Sequence, residues 1–291
     1  MAEPGAARGM ERVVLGTVQL GLPYGARAGA GTMPEHAARA VLDAAWALGI
    51  RAFDTAEAYG ESAARLERWL RGRGVAGEAH VVTKVKPGEG PGIGGRVERA
   101  LARFPDAASR TLLTHGGAGG REWEEAAAAA RACDAAAGQS VYGRDGVEAA
   151  VACAGVERVQ APGNLFDLGA LAGRAGAPVA LDLRSVYLQG LLASPPAAAE
   201  ARVPGAGALA GAVAAAAAGV GEEPAALLCA VVLGACRRGD RLVVGVDAPE
   251  QLAPVARAVS LDPPTVQAFA RAAREAVAGP VDPRVLDPRR W

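Results

Sequence analysis

Residues 50–74 read IRAFDTAEAYGESAARLERWLRGRG. The run Ile50–Asp54 predicts a strand that ends on an acidic side chain, a loop follows to Gly60, and a helix is predicted over about Ser62–Arg71. This strand–loop–helix grammar continues in both directions. Upstream, a strand is predicted over Arg12–Gln19, with Leu20 at its edge. The helix after it covers about Pro34–Leu48, with Ala37, Ala38, Val41, Leu42, Ala45 and Leu48 on one face. Downstream, strands are predicted over His80–Lys84, Arg110–Thr114, Gln139–Tyr142, Arg158–Gln160, Pro178–Leu183 and Arg241–Val244. The helices between and after them cover about Ile93–Phe104, Trp123–Ala136, Arg144–Ala154, Leu168–Arg174, Gly207–Ala218, Pro224–Cys236, Glu250–Val259 and Pro264–Val277. Eight β-α units in series predict parallel strands with right-handed crossovers. At 291 residues, closure into a single-domain (β/α)8 TIM barrel is favoured over an open doubly wound sheet. No linker divides the chain. Residues 1–10 are expected to be a flexible N-terminal tail and 11–291 the barrel.

Composition narrows the function. Basic and acidic residues balance at 31 each, and no basic stripe interleaved with aromatics occurs, which argues against nucleic acid. The alanine-rich stretch 206–219 sits beside Gly and Pro and is not leucine-rich, so no membrane partner is expected. The opening MAEPGAARGMER has no apolar core of a signal peptide. Cys133, Cys153, Cys229 and Cys236 fall in helical patterns without metal-ligand spacing, so they read as small hydrophobes in a reducing compartment, with no metal site. The expected location is cytoplasmic.

In a barrel of this kind, chemistry gathers where strands end and βα loops begin. Strand two ends in Asp54 and its loop carries Tyr59. Strand three ends in Lys84, and His115 follows strand four. Each has a plain structural reading on its own: a helix cap, a rim aromatic, a solvated lysine, a satisfied histidine. Together, in this order, they suggest proton transfer. Reduction of a carbonyl needs a proton donor, and an ordinary phenol is a weak one. A neighbouring ammonium favours the phenolate and strengthens such an acid. Lys84 is placed to supply it, and Asp54 to hold Lys84 by a charged hydrogen bond.

The segments FDTAEAYG (53–60), VVTKVKP (81–87) and LLTHGG (112–117) resemble the three that hold the Asp, Tyr, Lys and His tetrad of the aldo/keto reductases. LGTVQLGLPYG (15–25), NLFD (164–167), RSVYLQGLL (184–192), VVGVDAPEQL (243–252) and LDPRRW (286–291) resemble further segments of one bacterial branch of that family. The resemblance implies an NAD(P)H-dependent oxidoreductase that reduces a carbonyl, or oxidises the alcohol, of a small metabolite such as a sugar or a natural-product intermediate. It implies Tyr59 as general acid and His115 as the residue orienting the substrate oxygen. Ser140 and Gln160 would hold the nicotinamide carboxamide. Gly245, Val246, Asp247 and Gln251 belong to the segment that wraps the cofactor phosphates, and helix 250–259 would offer its N-terminus to an anion. NADPH is expected first, with NADH possible.

The chain also departs from the family pattern. The stretch between His115 and Ser140 is short, and strand five lacks a long apolar run. Arg184, counted with the cofactor-binding residues, stands where many relatives place an aromatic over the nicotinamide; a guanidinium can stack there but adds a charge. Pro254 and Val255 stand where an acidic residue and an asparagine usually contact the adenine. Two alternatives therefore stay open: a binding or regulatory barrel with an eroded cofactor site, and a redox-neutral lyase or epimerase using Tyr59 and Lys84. The glycine-rich stretches GEGPGIGG (88–95) and GGAGG (116–120) read as loops, the first lacking the strand-to-helix setting of a dinucleotide fingerprint. Asp182 and Arg184 are expected to pair at the end of strand seven.

Overall fold

The computed structural model describes residues 9–25, 31–88, 92–117, 119–174 and 176–291. Eight parallel strands close into a barrel in sequence order: β1 (Val13–Gly16), β2 (Ala52–Asp54), β3 (His80–Val85), β4 (Ser109–His115), β5 (Ala136–Ser140), β6 (Arg158–Pro162), β7 (Ala180–Arg184) and β8 (Arg241–Gly245), which pairs back onto β1. The helices are α1 (Val18–Gly21), α2 (Glu35–Ala47), α3 (Ser62–Arg73), α4 (Ile93–Ala102), α5 (Gly120–Ala132), α6 (Gly143–Ala152), α7 (Gly169–Arg174), α8 (Pro196–Arg202), α9 (Ala206–Val220), α10 (Pro224–Ala235), α11 (Ala253–Ala258), α12 (Pro263–Glu275) and α13 (Pro283–Leu286). The expected single-domain (β/α)8 barrel is the fold observed.

Several boundaries differ from expectation for physical reasons. β1 stops at Gly16 because Thr17 turns the chain: its N–H and Oγ1 both donate to the Asp54 carbonyl, at 2.9 and 2.8 Å, and α1 begins at once. β5 starts earlier than predicted and α5 ends earlier. A Cβ on Gly138 would stand 2.0 Å from the Arg158 carbonyl oxygen and 2.8 Å from Leu113 Cδ2. β6 and the β4 side chain thus crowd this strand, which accounts for its small residues. The connection after β7 holds α8, which the sequence reading passed over; two prolines at its start pre-set the helical turn. The expected helix 250–259 is a 3-10 turn over Pro249–Leu252 followed by the short α11. Met10, assigned to the expected tail, is buried in the core. Residues 1–8, 89–91 of the first glycine-rich loop and 118 of the second lie outside the described residues.

The helices pack their apolar residues against the barrel, and α10 is buried on every side from Ala226 to Leu233. Trp46 of α2 stacks on Phe53 of β2 at 6.3 Å and meets Trp69 of α3 edge-on at 5.6 Å. Such pairs add about 0.5–1.5 kcal/mol each beyond area burial, and they anchor the βα unit that carries Asp54 and Tyr59. Toward the N-terminal end of the barrel, Asp182 is held by Arg158 at 2.7 Å and by Arg241 at 2.9 Å, not by Arg184. Asp182 lies in register with Arg241 of β8, whereas Arg184 is two residues nearer the opposite end. Burial works against the Asp182 charge, but Arg241 and then Arg158 overcome it and hold its carboxyl below the ordinary range. Among the described residues no single helix is long and apolar enough to cross a membrane. The most apolar pair, α9 and α10, meets at 92°, and both helices pack into the core.

Candidate active site

The C-terminal strand ends bring the four expected residues together. Asp54 ends β2, Lys84 lies near the end of β3 and His115 ends β4. Tyr59 comes from the turn after β2, where Tyr59 N–H donates to Ala56 O. The Lys84 ammonium donates to Asp54 Oδ1 at 2.5 Å, to Thr55 O at 3.2 Å and to Tyr59 Oη at 3.3 Å. Its three donors are therefore all used. Burial disfavours the Lys84 charge, yet the Asp54 carboxylate and then the Tyr59 oxygen outweigh it, and Lys84 titrates above its ordinary value. His115 meets Tyr59 edge-on, with ring centroids 6.2 Å apart. Burial, followed by Lys84 and Arg184, pushes His115 down to about 4, so at neutral pH it is an uncharged imidazole.

The loop carrying Tyr59 is locked to the first strand–helix junction. A Cβ on Gly21 would sit 2.0 Å from Tyr59 O and 2.4 Å from Ser62 N, and one on Gly60 (φ +54°) would meet Gly21 O at 2.6 Å. Beneath them, Ser62 Oγ lies 2.6 Å from Thr17 Oγ1 and 3.0 Å from Thr55 Oγ1. Glycine is required at both contacts because the two backbones touch.

A cavity of about 560 Å³ opens on this end of the barrel, within the ~300–1,000 Å³ of small-molecule sites. Asp54, Tyr59, Gln160 and Arg184 line one part of it, and Gly245, Val246, Asp247, Glu250, Gln251 and Pro254 another. Gln160 is already engaged: its amide nitrogen donates to Asp54 Oδ2 at 2.7 Å, which leaves its carbonyl oxygen and one N–H. Ser140 sits in register between His115 and Gln160. It is buried, its Oγ has no hydrogen-bond partner, and it lies outside the cavity lining, as do Lys84 and His115. Gln251 Oε1 accepts from Asp247 N at 2.7 Å and so braces the loop after β8. Val255 is fully buried in the core and offers nothing to the cavity. Arg184 lines the cavity, with its guanidinium carbon 4.3 Å from the centre of the Tyr142 ring.

Cavity residues that the chemical reading of the sequence missed include Gln19, Tyr24, Tyr187 and Gln189. They lie in the segments 15–25 and 184–192, whose signal was the family resemblance and not a titratable group. The backbone after β7 adds a further sign, since Ser185, Leu188 and Gln189 all take positive φ (64°, 46° and 53°). Non-glycine residues held there cost on the order of 1–3 kcal/mol each and gather at functional sites. The residues present fit a nicotinamide dinucleotide. Glycines 16 and 245 face each other across β1 and β8 at the cavity wall. The buried Gln19 Oε1 there and Ser140 Oγ nearby have no partner in the protein.

The aldo/keto reductase family model matches residues 12–110. That stretch holds Asp54, Tyr59 and Lys84 and ends before His115. None of the curated proteins matches the chain. Among solved structures, the glycerol dehydrogenase of Gluconobacter oxydans is 21% identical with a TM-score of 0.71, covering 94% of this chain and 94% of its own. The aldo-keto reductase of Bacillus halodurans, in its holo form, is 16% identical with a TM-score of 0.64, covering 96% and 95%. A Pseudomonas aeruginosa protein assigned to the aldo-keto reductases is 23% identical with a TM-score of 0.61, covering 86% and 90%. Over residues 12–110 the family match agrees with the resemblance read from the sequence and supports an oxidoreductase, and the solved structures share the barrel fold.

Proposed function

We propose that the protein is a nicotinamide-dependent oxidoreductase that reduces the carbonyl of a small metabolite, or oxidises the corresponding alcohol, with Tyr59 as the general acid. One observation carries this reading. The Lys84 ammonium donates at once to the Asp54 carboxylate and to the Tyr59 oxygen, and Tyr59 lines the cavity. Because Tyr59 Oη accepts from Lys84, its own proton is free to be donated elsewhere, and the cavity is where an acceptor would lie. When bound, the nicotinamide supplies the hydride. Tyr59 supplies the proton to the carbonyl oxygen, and Lys84, fixed by Asp54, stabilises the phenolate left behind. His115, neutral at working pH, orients the oxygen as a hydrogen-bond partner without bringing a charge. Gln160 Oε1 and Ser140 Oγ are the groups we assign to the carboxamide, which offers both donors and acceptors. Gly245, Val246, Asp247 and Gln251 would follow the dinucleotide along the cavity.

The resemblance alone puts NADPH before NADH. The wall beyond β8 supports only a small difference between them, since it carries Asp247 and Glu250 and, among the described residues, no lysine or arginine. A binding or regulatory barrel with an eroded cofactor site predicts that nicotinamide is not bound, whereas a redox-neutral lyase or epimerase using Tyr59 and Lys84 predicts no net oxidation or reduction of the substrate. Titrating NADH and NADPH into the purified protein, followed by quenching of intrinsic fluorescence, tests the reading. Saturable binding of either supports it, and no binding at millimolar concentration removes it.

A further inference from the structure

Arg184 ends β7 and is the only basic side chain among the described residues lining the cavity. Its guanidinium is fixed in place. One nitrogen donates to the Val141 carbonyl at 3.2 Å, another approaches Ser185 Oγ at 3.4 Å, and its carbon lies 4.3 Å from the Tyr142 ring centre. Tyr142 is itself held by Arg289 of the C-terminal segment, 3.7 Å from the same ring and tied to Asp287 at 2.7 Å. Two of the five guanidinium N–H groups are engaged in this way, which leaves three.

What Arg184 lacks is a carboxylate. Arg158 and Arg241 share Asp182, Arg174 holds Asp240, and Arg96 holds Glu57. Arg12, Arg110 and Arg274 also go without a carboxylate, but they donate to backbone carbonyls outside the cavity. Beside the candidate tetrad Asp54 neutralises Lys84 and His115 is uncharged, and Lys86 acts on His115 more weakly than Arg184 does. The Arg184 charge is felt there, and it is one of the influences that hold His115 low. The cavity's other charged lining residues, Glu223, Asp247 and Glu250, make no ion pair with it. A half-buried guanidinium held rigid, with N–H groups left over and no counter-ion, is suited to receive a carboxylate.

We propose that Arg184 is a specificity-determining residue that binds the carboxylate of the substrate, so that the preferred carbonyl compounds are oxo acids and not neutral aldehydes or ketones. This rests on reading the cavity as a carbonyl-reduction site. In that reaction the carbonyl carbon gains a hydride from the reduced nicotinamide, its oxygen gains the Tyr59 proton, and the carboxylate is unchanged. Tyr142 and Arg289 act through Arg184 as positioning residues.

The test compares carboxylates with their uncharged twins. Initial rates with NADH and with NADPH are measured on 2-oxobutanoate, 2-carboxybenzaldehyde and 4-carboxybenzaldehyde, each against its methyl ester. In a separate measurement, binding of the unreactive carboxylates oxamate and benzoate is followed by calorimetry. The parent protein should favour at least one acid over its ester in kcat/KM by about ten- to a hundredfold, the scale of a hydrogen bond to a charged group. Arg184→Met should bring that ratio near one, and Arg184→Lys should keep part of it. The parent should bind an unreactive carboxylate at least tenfold more tightly than the Met variant does. An unchanged acid-to-ester ratio in Arg184→Met, or a parent that prefers esters throughout, overturns the proposal. If no compound is reduced and no nicotinamide binds, the reductase reading fails, and the calorimetry decides the carboxylate site: binding lost in Arg184→Met supports it, and no binding to the parent sinks it.

Discussion

Replacing Lys84 by Met separates a catalytic role from a structural one. Met is close to Lys in length and packs in the same slot, but it removes a charge and three donors. In the parent, the Lys84 and Asp54 side chains are 0% and 4% exposed, so the change leaves a buried carboxylate without its counter-ion. Breaking a buried pair by removing one partner costs about 3–5 kcal/mol. Gln160 still donates to Asp54 Oδ2 at 2.7 Å, which favours the lower end of that range. Against a total stability of about 5–15 kcal/mol, the loss is large but leaves a folded protein to measure. Adding Asp54→Asn removes the stranded charge while keeping an oxygen for Gln160. The double variant should therefore recover about 2 kcal/mol relative to Lys84→Met, since removing both charges of a buried pair is far cheaper than removing one. Urea unfolding of parent, both single variants and the double, followed by far-ultraviolet circular dichroism, yields the coupling energy. Additivity within about 0.5 kcal/mol, or a cost of Lys84→Met below about 1 kcal/mol on the scale of an exposed pair, would refute the view of Lys84 as a buried, charge-paired group. In the same variant, carbonyl reduction should be lost, and any residual activity should show a displaced pH optimum.

Tyr59→Phe should nearly abolish carbonyl reduction while nicotinamide titration stays unchanged; reduction near the parent rate would remove the phenol from the mechanism. His115 makes stability depend on pH in a definite direction. Its folded value is depressed from 6.5 to about 4, so the unfolded chain takes up the proton first as pH falls. The contribution is complete above about pH 6.5 and is lost between there and about pH 4. A His115→Asn variant should show a flatter acid limb in thermal melts between those limits, and an equally steep limb would contradict the assignment. NADPH should lead NADH by no more than about tenfold in a titration, because the hydrogen bond to a charged phosphate that contributes ~1.5–3 kcal/mol elsewhere finds no lysine or arginine among the described residues that line the cavity beyond β8. Asp247→Arg should raise that preference by about ten- to a hundredfold on the same scale. A parent preference beyond a hundredfold would mean that a distant arginine reaches the phosphate.

The barrel was legible because alternation between short β-rich runs and helix-period segments survives an alanine-heavy composition. Asp54, Lys84 and His115 could be found because strand ends are where such a fold presents polar groups, and Tyr59 because it follows within the same unit. Partnerships were harder to read. The sequence suggests that Asp182 pairs with its near neighbour Arg184, but register across β6, β7 and β8 decides the matter and brings Arg158 and Arg241 to it. Gln160 lines the cavity, but its bond to Asp54 spans 106 residues and leaves no local trace. Val255 stood at an expected contact position, yet α11 turns it into the core, because a 3-10 turn replaces the first part of the predicted helix.

The contact between Gly21 and the Tyr59 loop bears on how this scaffold can be recombined. The opening segment 15–25 and the segment 53–60 meet backbone to backbone, so they behave as the two halves of one joint although some thirty residues lie between them. A graft that moves only the loop with its tyrosine into a recipient whose opening turn carries any side chain at the Gly21 position would force the phenol away from the lysine. Exchange of βα modules among barrels of this type should succeed only when the crossover falls after Gly60, so that both halves travel together.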